Sequence, residues 1–290
     1  MKSSTKRGHK FAAALSVVAA LGVSANAQSL SHYYYSAGGA SIAADQVGSA
    51  NGTLYGAATL SGGTSGYLIT DGGNGGLSGG VPTEGMLLAP SAVSGITGSF
   101  TISTWFQASG NAYQSHLFDF SDGTGANMIA ALSVDGGYPY PAHGYAGTSY
   151  AYTDVWGTTF DNGSGGAWLD TGNLYNLMLS YNGSTLNMYI NGALYDSQAL
   201  TGFDLSTRTT VGVAGGSPWA VGDRSFNGNT YSFAIVDGAL SAGQVSSVYA
   251  LGQDATASAF SAAIAPVPEP STLALVGLGL TALLVRRGRK

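Results

Sequence analysis

Between Gly136 and Asp170 the chain gathers Tyr138, Tyr140, His143, Tyr145, Tyr150, Tyr152, Trp156 and Trp168 among glycines. Aromatic faces stack on the C–H surfaces of sugars, and planar polar groups beside them satisfy the hydroxyls. Tyr138, Tyr140, Tyr150, Tyr152, Trp156 and Trp168 are therefore the candidate ligand contacts. The same rings would also serve to cover an exposed sheet face. Alternation through Tyr150–Trp156 puts Tyr150, Tyr152, Asp154 and Trp156 on one face of a strand.

A second chemistry is open to the carboxylates. Asp45, Asp119, Asp122 and Asn127, with carbonyls of nearby glycine-rich loops, are oxygen donors of the kind calcium takes. Aspartate in a stretch such as FDFSDG is equally a turn former. Catalysis finds less support. Glycoside hydrolysis uses a pair of carboxyl groups, and the only glutamates are Glu84 and Glu269, the latter in the C-terminal tail. No G-x-S-x-G, H-E-x-x-H or P-loop motif occurs. His32, His116 and His143 are far apart in sequence, so spacing does not argue for zinc. Without cysteine there is neither disulfide nor thiolate chemistry. The chain reads as a binding or structural protein rather than an enzyme.

Three stretches indicate how such residues would be positioned. In Ser99–Gln107 (SFTISTWFQ), Phe100, Ile102, Thr104 and Phe106 alternate with Thr101, Ser103 and Trp105, the period of a strand, and Ser115–Phe120 is its expected partner. In Leu174–Ser197, Asn182-Gly183 and Asn191-Gly192 are type I′ turn signals between alternating runs, so three antiparallel strands follow, with Leu186, Met188 and Ile190 on the buried face. Phe226–Leu251 opens as a strand over Thr230–Val236. Ser241 and Gln244 then form a capping box before one short helix with the apolar stripe Val245, Val248 and Tyr249. The expectation is an antiparallel all-β domain with many tight turns, as the 45 glycines suggest.

The two ends carry addresses. Lys2, Lys6, Arg7 and Lys10 precede the apolar Phe11–Val23 and an A-x-A site at Ala25–Ala27, a signal peptide over residues 1–27 with Gln28 as the mature start. In the body between Gln28 and Pro268, two arginines, Arg208 and Arg224, stand against 14 acidic residues. Such a surface repels nucleic acid and anionic lipid. Residues 28–252 form the expected domain, and the small, polar residues 253–265 read as a linker. Pro268-Glu269-Pro270 then precedes the apolar run Leu273–Val285 and the basic end Arg286-Arg287-Gly288-Arg289-Lys290. A helix of that run reaches about 20 Å, short of the roughly 30 Å hydrocarbon core. It is a marginal transmembrane span.

These residues support two resemblances. SFTISTWFQ, LYNLMLSYNGSTLNMYINGALYDS, VGVAGG and FNGNTYSFAIVDGALSAGQVSSVYAL, in this order, with an opening DQVGSANGTLYGA at Asp45–Ala57, resemble a laminin G-like domain of the concanavalin A-like superfamily. The resemblance implies a two-sheet antiparallel jelly-roll sandwich, which the hairpins alone do not distinguish from a barrel. It also implies glycan or protein binding, often with calcium, and in some branches polysaccharide hydrolysis. The E-x-D-x-x-E strand of those glucanases has no counterpart here. Where the family often carries an acidic pair after FNG, this chain has Tyr231 and Ser232. The tail resembles a PEP-CTERM sorting signal of Gram-negative bacteria. That implies transient anchoring in the inner membrane, processing by an exosortase, and delivery to the cell surface or extracellular matrix. The functional expectation is a non-catalytic glycan-binding or adhesive module, with a structural matrix protein and a divergent polysaccharide hydrolase as alternatives.

Overall fold

A computed structural model describes residues 28–64, 66–73, 77–78, 81–82, 84–110, 115–122, 128–132, 140–141, 143–148, 151–155, 168–169, 171–215 and 224–266. Residues 1–27, expected to be a signal peptide, the apolar run Leu273–Val285, the motif Pro268-Glu269-Pro270, and Tyr138, Tyr150, Trp156 and Asn127 lie outside these residues. In chain order the first strands are β1 (Ser29–Tyr35), β2 (Thr53–Tyr55), β3 (Thr59–Leu60), β4 (Leu68–Asp71), β5 (Leu77–Ser78), β6 (Val81–Pro82) and β7 (Gly85–Leu88). There follow β8 (Phe100–Ala108), β9 (Ser115–Ser121), β10 (Met128–Leu132), β11 (Tyr140–Pro141), β12 (His143–Thr148), β13 (Ala151–Val155) and β14 (Trp168–Leu169). The last are β15 (Leu174–Tyr181), β16 (Thr185–Ile190), β17 (Ala193–Ala199), β18 (Thr210–Val213), β19 (Arg224–Ser225) and β20 (Asn227–Asp237), then helices α1 (Ala242–Ala250) and α2 (Ala257–Ile264).

Two sheets hold most of them. The first runs β17-β16-β15-β8-β20-β4-β3, with β1 also on β20; the second runs β13-β12-β10-β9-β18-β7-β2, with β19 parallel to β9. They face each other through rings: Phe233 of the first sheet lies 5.8 Å from Phe118 and 5.9 Å from Phe120 of the second. Leu186, Met188 and Ile190 are buried in that core, as their alternation predicts. The architecture is an all-β, antiparallel two-sheet sandwich.

The three-strand meander forms as the two Asn-Gly signals require, but the turns differ. Asn191 and Gly192 both have positive φ, 49° and 79°, the type I′ pattern. At the other tip only Gly183 is positive, at 94°, and the Asn182 N–H donates to the Thr185 carbonyl. The loop is thus Gly183-Ser184, one residue later than expected, with glycine first as in a type II′ turn. The Asn182 side chain explains the shift, since its Oδ1 accepts from the Ser184 and Thr185 N–H groups at 3.0 and 2.8 Å.

A second layer covers part of the first sheet's outward face. Leu30, Tyr33, Met178, Ala234 and Val236 pack there against Val245 and Val248 of α1 and Phe260 and Ile264 of α2. The Ser241–Gln244 capping box is present, and Trp105 stacks on Tyr249 at 5.5 Å. Both faces of β8 are therefore buried. Helix α2 corrects the linker reading of residues 253–265. Its sequence is small and alanine-rich, which favours helix as much as a flexible linker, and Phe260 and Ile264, four apart, give it one apolar stripe. Thr256 caps its start by accepting from the Ala259 N–H at 3.3 Å. Among the described residues no helix is long and apolar enough to cross a membrane.

Candidate functional site

The carboxylates singled out in the sequence fall in two places. Asp119 lies on β9, whose Phe118 and Phe120 point into the core, so Asp119 faces outward from the second sheet. A register shift against β10 lets Leu117 join the core and returns His116 to the Asp119 side, and His116 Nδ1 lies 3.1 Å from Asp119 Oδ2. Both side chains are fully buried. Arg208, also buried, follows a short turn at Leu205–Thr207 and stands over the Phe203 ring at 5.1 Å. Burial pulls its guanidinium below the ordinary range, and the charges of Asp122, Asp204 and Asp119 act in the opposite sense.

Asp45 is committed differently. Its Oδ1 accepts from the Tyr33, Val47 and Gly48 N–H groups at 3.3, 3.1 and 3.0 Å, and its Oδ2 from the Ala50 N–H at 3.1 Å. His32 Nδ1 lies 2.6 Å from the same Oδ2. Burial would raise this carboxyl, but the His32 bond and the N–H donors outweigh it and hold it below the usual range. The carboxylate pins the 45–52 loop to β1. Among the described residues no three His, Cys, Asp or Glu side chains converge on a metal position. Asp45 and Asp119 each have a histidine beside the carboxylate, and the fourth candidate, Asn127, lies outside the described residues.

The aromatic candidates attach to the second sheet's edge and to a small ribbon. Tyr140 lies on β11 and Trp168 on β14, paired strands in which Tyr140 is opposite Leu169 and Pro141 opposite Trp168. Tyr152 lies on β13. Through the register it shares a cross-strand row with Gly147, Met128, Ser121 and Thr210. Two residues along the strands, another row runs from Asp154 through Tyr145, Ala130, Asp119, Gly212 and Leu87 to Thr53.

Both rows end at an open groove of about 300 Å³ on the same sheet, lined among others by Asn51, Thr53, Tyr55, Leu87 and Thr210. Its lining is amide, hydroxyl, phenol and aliphatic, with no ionisable acid or base other than the phenol. Four strand spacings of about 4.8 Å separate Thr210 from Tyr152 by roughly 19 Å, the reach of a chain-like ligand. β2, β7 and β18 each bring two residues to the groove, so no single stretch of sequence marks it as a site.

The fold is a two-sheet β-sandwich with an open groove on one sheet. The chain belongs to the concanavalin A-like lectin/glucanases superfamily, whose laminin G-like family model matches residues 78–246. Residues 266–290 match the PEP-CTERM protein-sorting motif, the mark of an exported protein sorted to the cell surface. No curated protein matches the sequence. Among solved structures, domain 4 of AbnA, a GH43 extracellular arabinanase from Geobacillus stearothermophilus in complex with arabinotriose, is similar with a TM-score of 0.56. It is 19% identical, and the match covers 76% of this chain and 98% of that one. The Trypanosoma rangeli sialidase, in complex with 2,3-difluorosialic acid, has a TM-score of 0.52 at 10% identity over 77% of this chain and 33% of its own. At these identities both show the fold.

Proposed function

We propose that the protein is a non-catalytic glycan-binding module of the bacterial surface, exported by its signal peptide and processed by an exosortase at its C-terminal motif. The observation that carries the binding reading is the groove of Thr53, Tyr55, Leu87 and Thr210. It offers hydroxyl partners and a ring, and it is continuous in register with the strand that carries Tyr152. A neutral saccharide pays little desolvation there, whereas an anionic one would approach a body with 14 acidic residues. Tyr140, Trp168 and Tyr152, together with Tyr138, Tyr150 and Trp156, are the aromatic contacts this reading would extend to.

The arabinanase domain of the same fold holds arabinotriose, so neutral oligosaccharides are the first ligands to test. The mature protein should bind neutral glycans on an array, and Tyr55→Ala should weaken titrated binding by roughly tenfold, the value of one stacking ring. Binding of the variant at wild-type affinity would move the site elsewhere. Sustained release of reducing sugar, abolished by substituting one aspartate, would replace this reading with a hydrolase.

A further inference from the structure

Strand β20 changes partner at Tyr231. Asn227–Thr230 pair with β4, and Ser232–Asp237 pair with β1. On its other flank, Thr230 pairs with Phe106 of β8 and Ser232 with Trp105, with a register shift that leaves Tyr231 as the extra residue of a bulge. Tyr231 is thus in register with neither neighbour. A bulge of this kind re-aims one side chain, and such bulges gather beside binding sites. The bulge also resets the alternation: Thr230 pairs with the core residue Phe106, while Phe233 and Ile235 beyond the bulge return to the core. Tyr231 is sent to the outward face of the first sheet.

That part of the face lies beyond the residues packed against α1 and α2. Tyr67, immediately before β4, lies ring to ring with Tyr231 at 4.8 Å and a 49° tilt, and both are half-buried. The Tyr231 hydroxyl donates to Gln107 Oε1 at 3.0 Å, and Asn229 Nδ2 donates to the same oxygen at 3.4 Å. Gln107 Nε2 in turn donates to the Gly172 carbonyl. Two rings and two carboxamides are therefore held in place before any ligand arrives, which lowers the ordering cost of binding. Ile69 and Leu174 flank Asn229 and Gln107 in the same cross-strand row.

We infer that Tyr67, Tyr231, Gln107 and Asn229 form a second saccharide site, on the opposite side of the sandwich from the groove, for a neutral polyhydroxylated chain. The ring pair offers apolar surface to C–H faces, and the carboxamides offer both donors and acceptors to hydroxyls. Charge selects the neutral class. The body's two arginines lie elsewhere, Arg224 on β19 beside β9 and Arg208 near Asp119. The carboxylate on this face, Asp71, lies two residues along β4 from Ile69. An anionic polymer would find no counter-charge there. A site on each sheet would make the domain a cross-linker of polysaccharide, a consequence that rests on the groove reading above.

Affinity electrophoresis of the mature protein through gels holding hydroxyethylcellulose, arabinan or dextran tests this. Retardation is expected in at least one gel. Tyr231→Ala and Tyr67→Ala should each weaken it by roughly tenfold, with Tyr231→Phe intermediate because it keeps the ring and loses the Gln107 bond. Melting temperatures identify any variant that fails to fold, and Tyr67→Ala tests the site from another strand should Tyr231→Ala disturb the bulge. If both alanine variants migrate like wild type, the second site is wrong and the groove reading stands. If they abolish retardation while Tyr55→Ala has no effect, the second site holds and the groove reading falls. Unretarded migration in all three gels overturns both.

Discussion

The Glu84 carboxylate of the second sheet accepts the Asp71 N–H of the first at 2.8 Å, and its other oxygen accepts the Gly73 N–H at 3.2 Å. One side chain thereby ties β7 to the end of β4 across the sandwich edge. Glu84 is 3% exposed, and burial, helped by the neighbouring Asp71, pushes its carboxyl above the ordinary 4.5 against the pull of its backbone donors. A carboxyl whose pKa is higher folded than unfolded favours the folded state while protonated, and that gain fades as pH rises through the folded value. Glu84→Gln should remove this component, so the melting temperature of the variant should fall less than wild type's between pH 4.5 and 7.5. Parallel pH profiles for the two proteins would count against it.

Asp45 has the opposite sign. Its carboxyl is held below 3.8, so its contribution is complete above that pH and is lost as pH falls through the lower folded value. Asp45→Ala leaves four backbone donors without their charged acceptor and should cost about 2–3 kcal/mol in urea denaturation at pH 7. A cost below about 0.5 kcal/mol would show that the loop holds without it.

Gly183 and Gly192 both need positive φ, yet they differ in surroundings. A Cβ on Gly183 would meet nothing within 4 Å, while one on Gly192 would lie 2.9 Å from Tyr249, the ring stacked on Trp105. Gly183→Ala should cost about 1–2 kcal/mol of backbone strain. Gly192→Ala should add about 1–3 kcal/mol of overpacking and change Trp105 fluorescence. Equal costs would mean that α1 yields freely.

Phe260 anchors α2, with its ring 5.2 Å from Tyr33, whose hydroxyl donates to the Ala255 carbonyl at 3.0 Å. Phe260→Ala should open α2 locally, with amide exchange at Ala257–Ile264 accelerating while β8 stays protected. Unchanged exchange in α2 would show that other contacts hold it.

The sorting tail follows α2 directly, with Ile264 only two residues from the start of the matched motif at 266. Deleting Val267–Pro270 while keeping the apolar run and the basic end should leave export intact and hold unprocessed protein in the membrane fraction. Normal maturation of that variant, read by mass spectrometry of its C-terminus, would reduce the tail to a plain anchor.

Much of the local structure is legible in the sequence because its causes are local. Alternation in Phe100–Phe106 and Leu186–Ile190 fixes which residues face the core, Asn191-Gly192 supplies two positive φ values, and Ser241 with Gln244 caps α1. The order of motifs, and the Pro-Glu-Pro tail, identify the family and the sorting signal. Other features depend on which strand lies alongside. The bulges that turn His116 toward Asp119 and send Tyr231 outward are register shifts, visible only against β10 and β8. The docking of α2 on the first sheet follows from contacts between segments distant along the chain, whereas Asp45 anchors its loop through partners no more than 13 residues away. A period of two states which face a side chain takes, but burial and partners are settled only when the second sheet and the helices close over it.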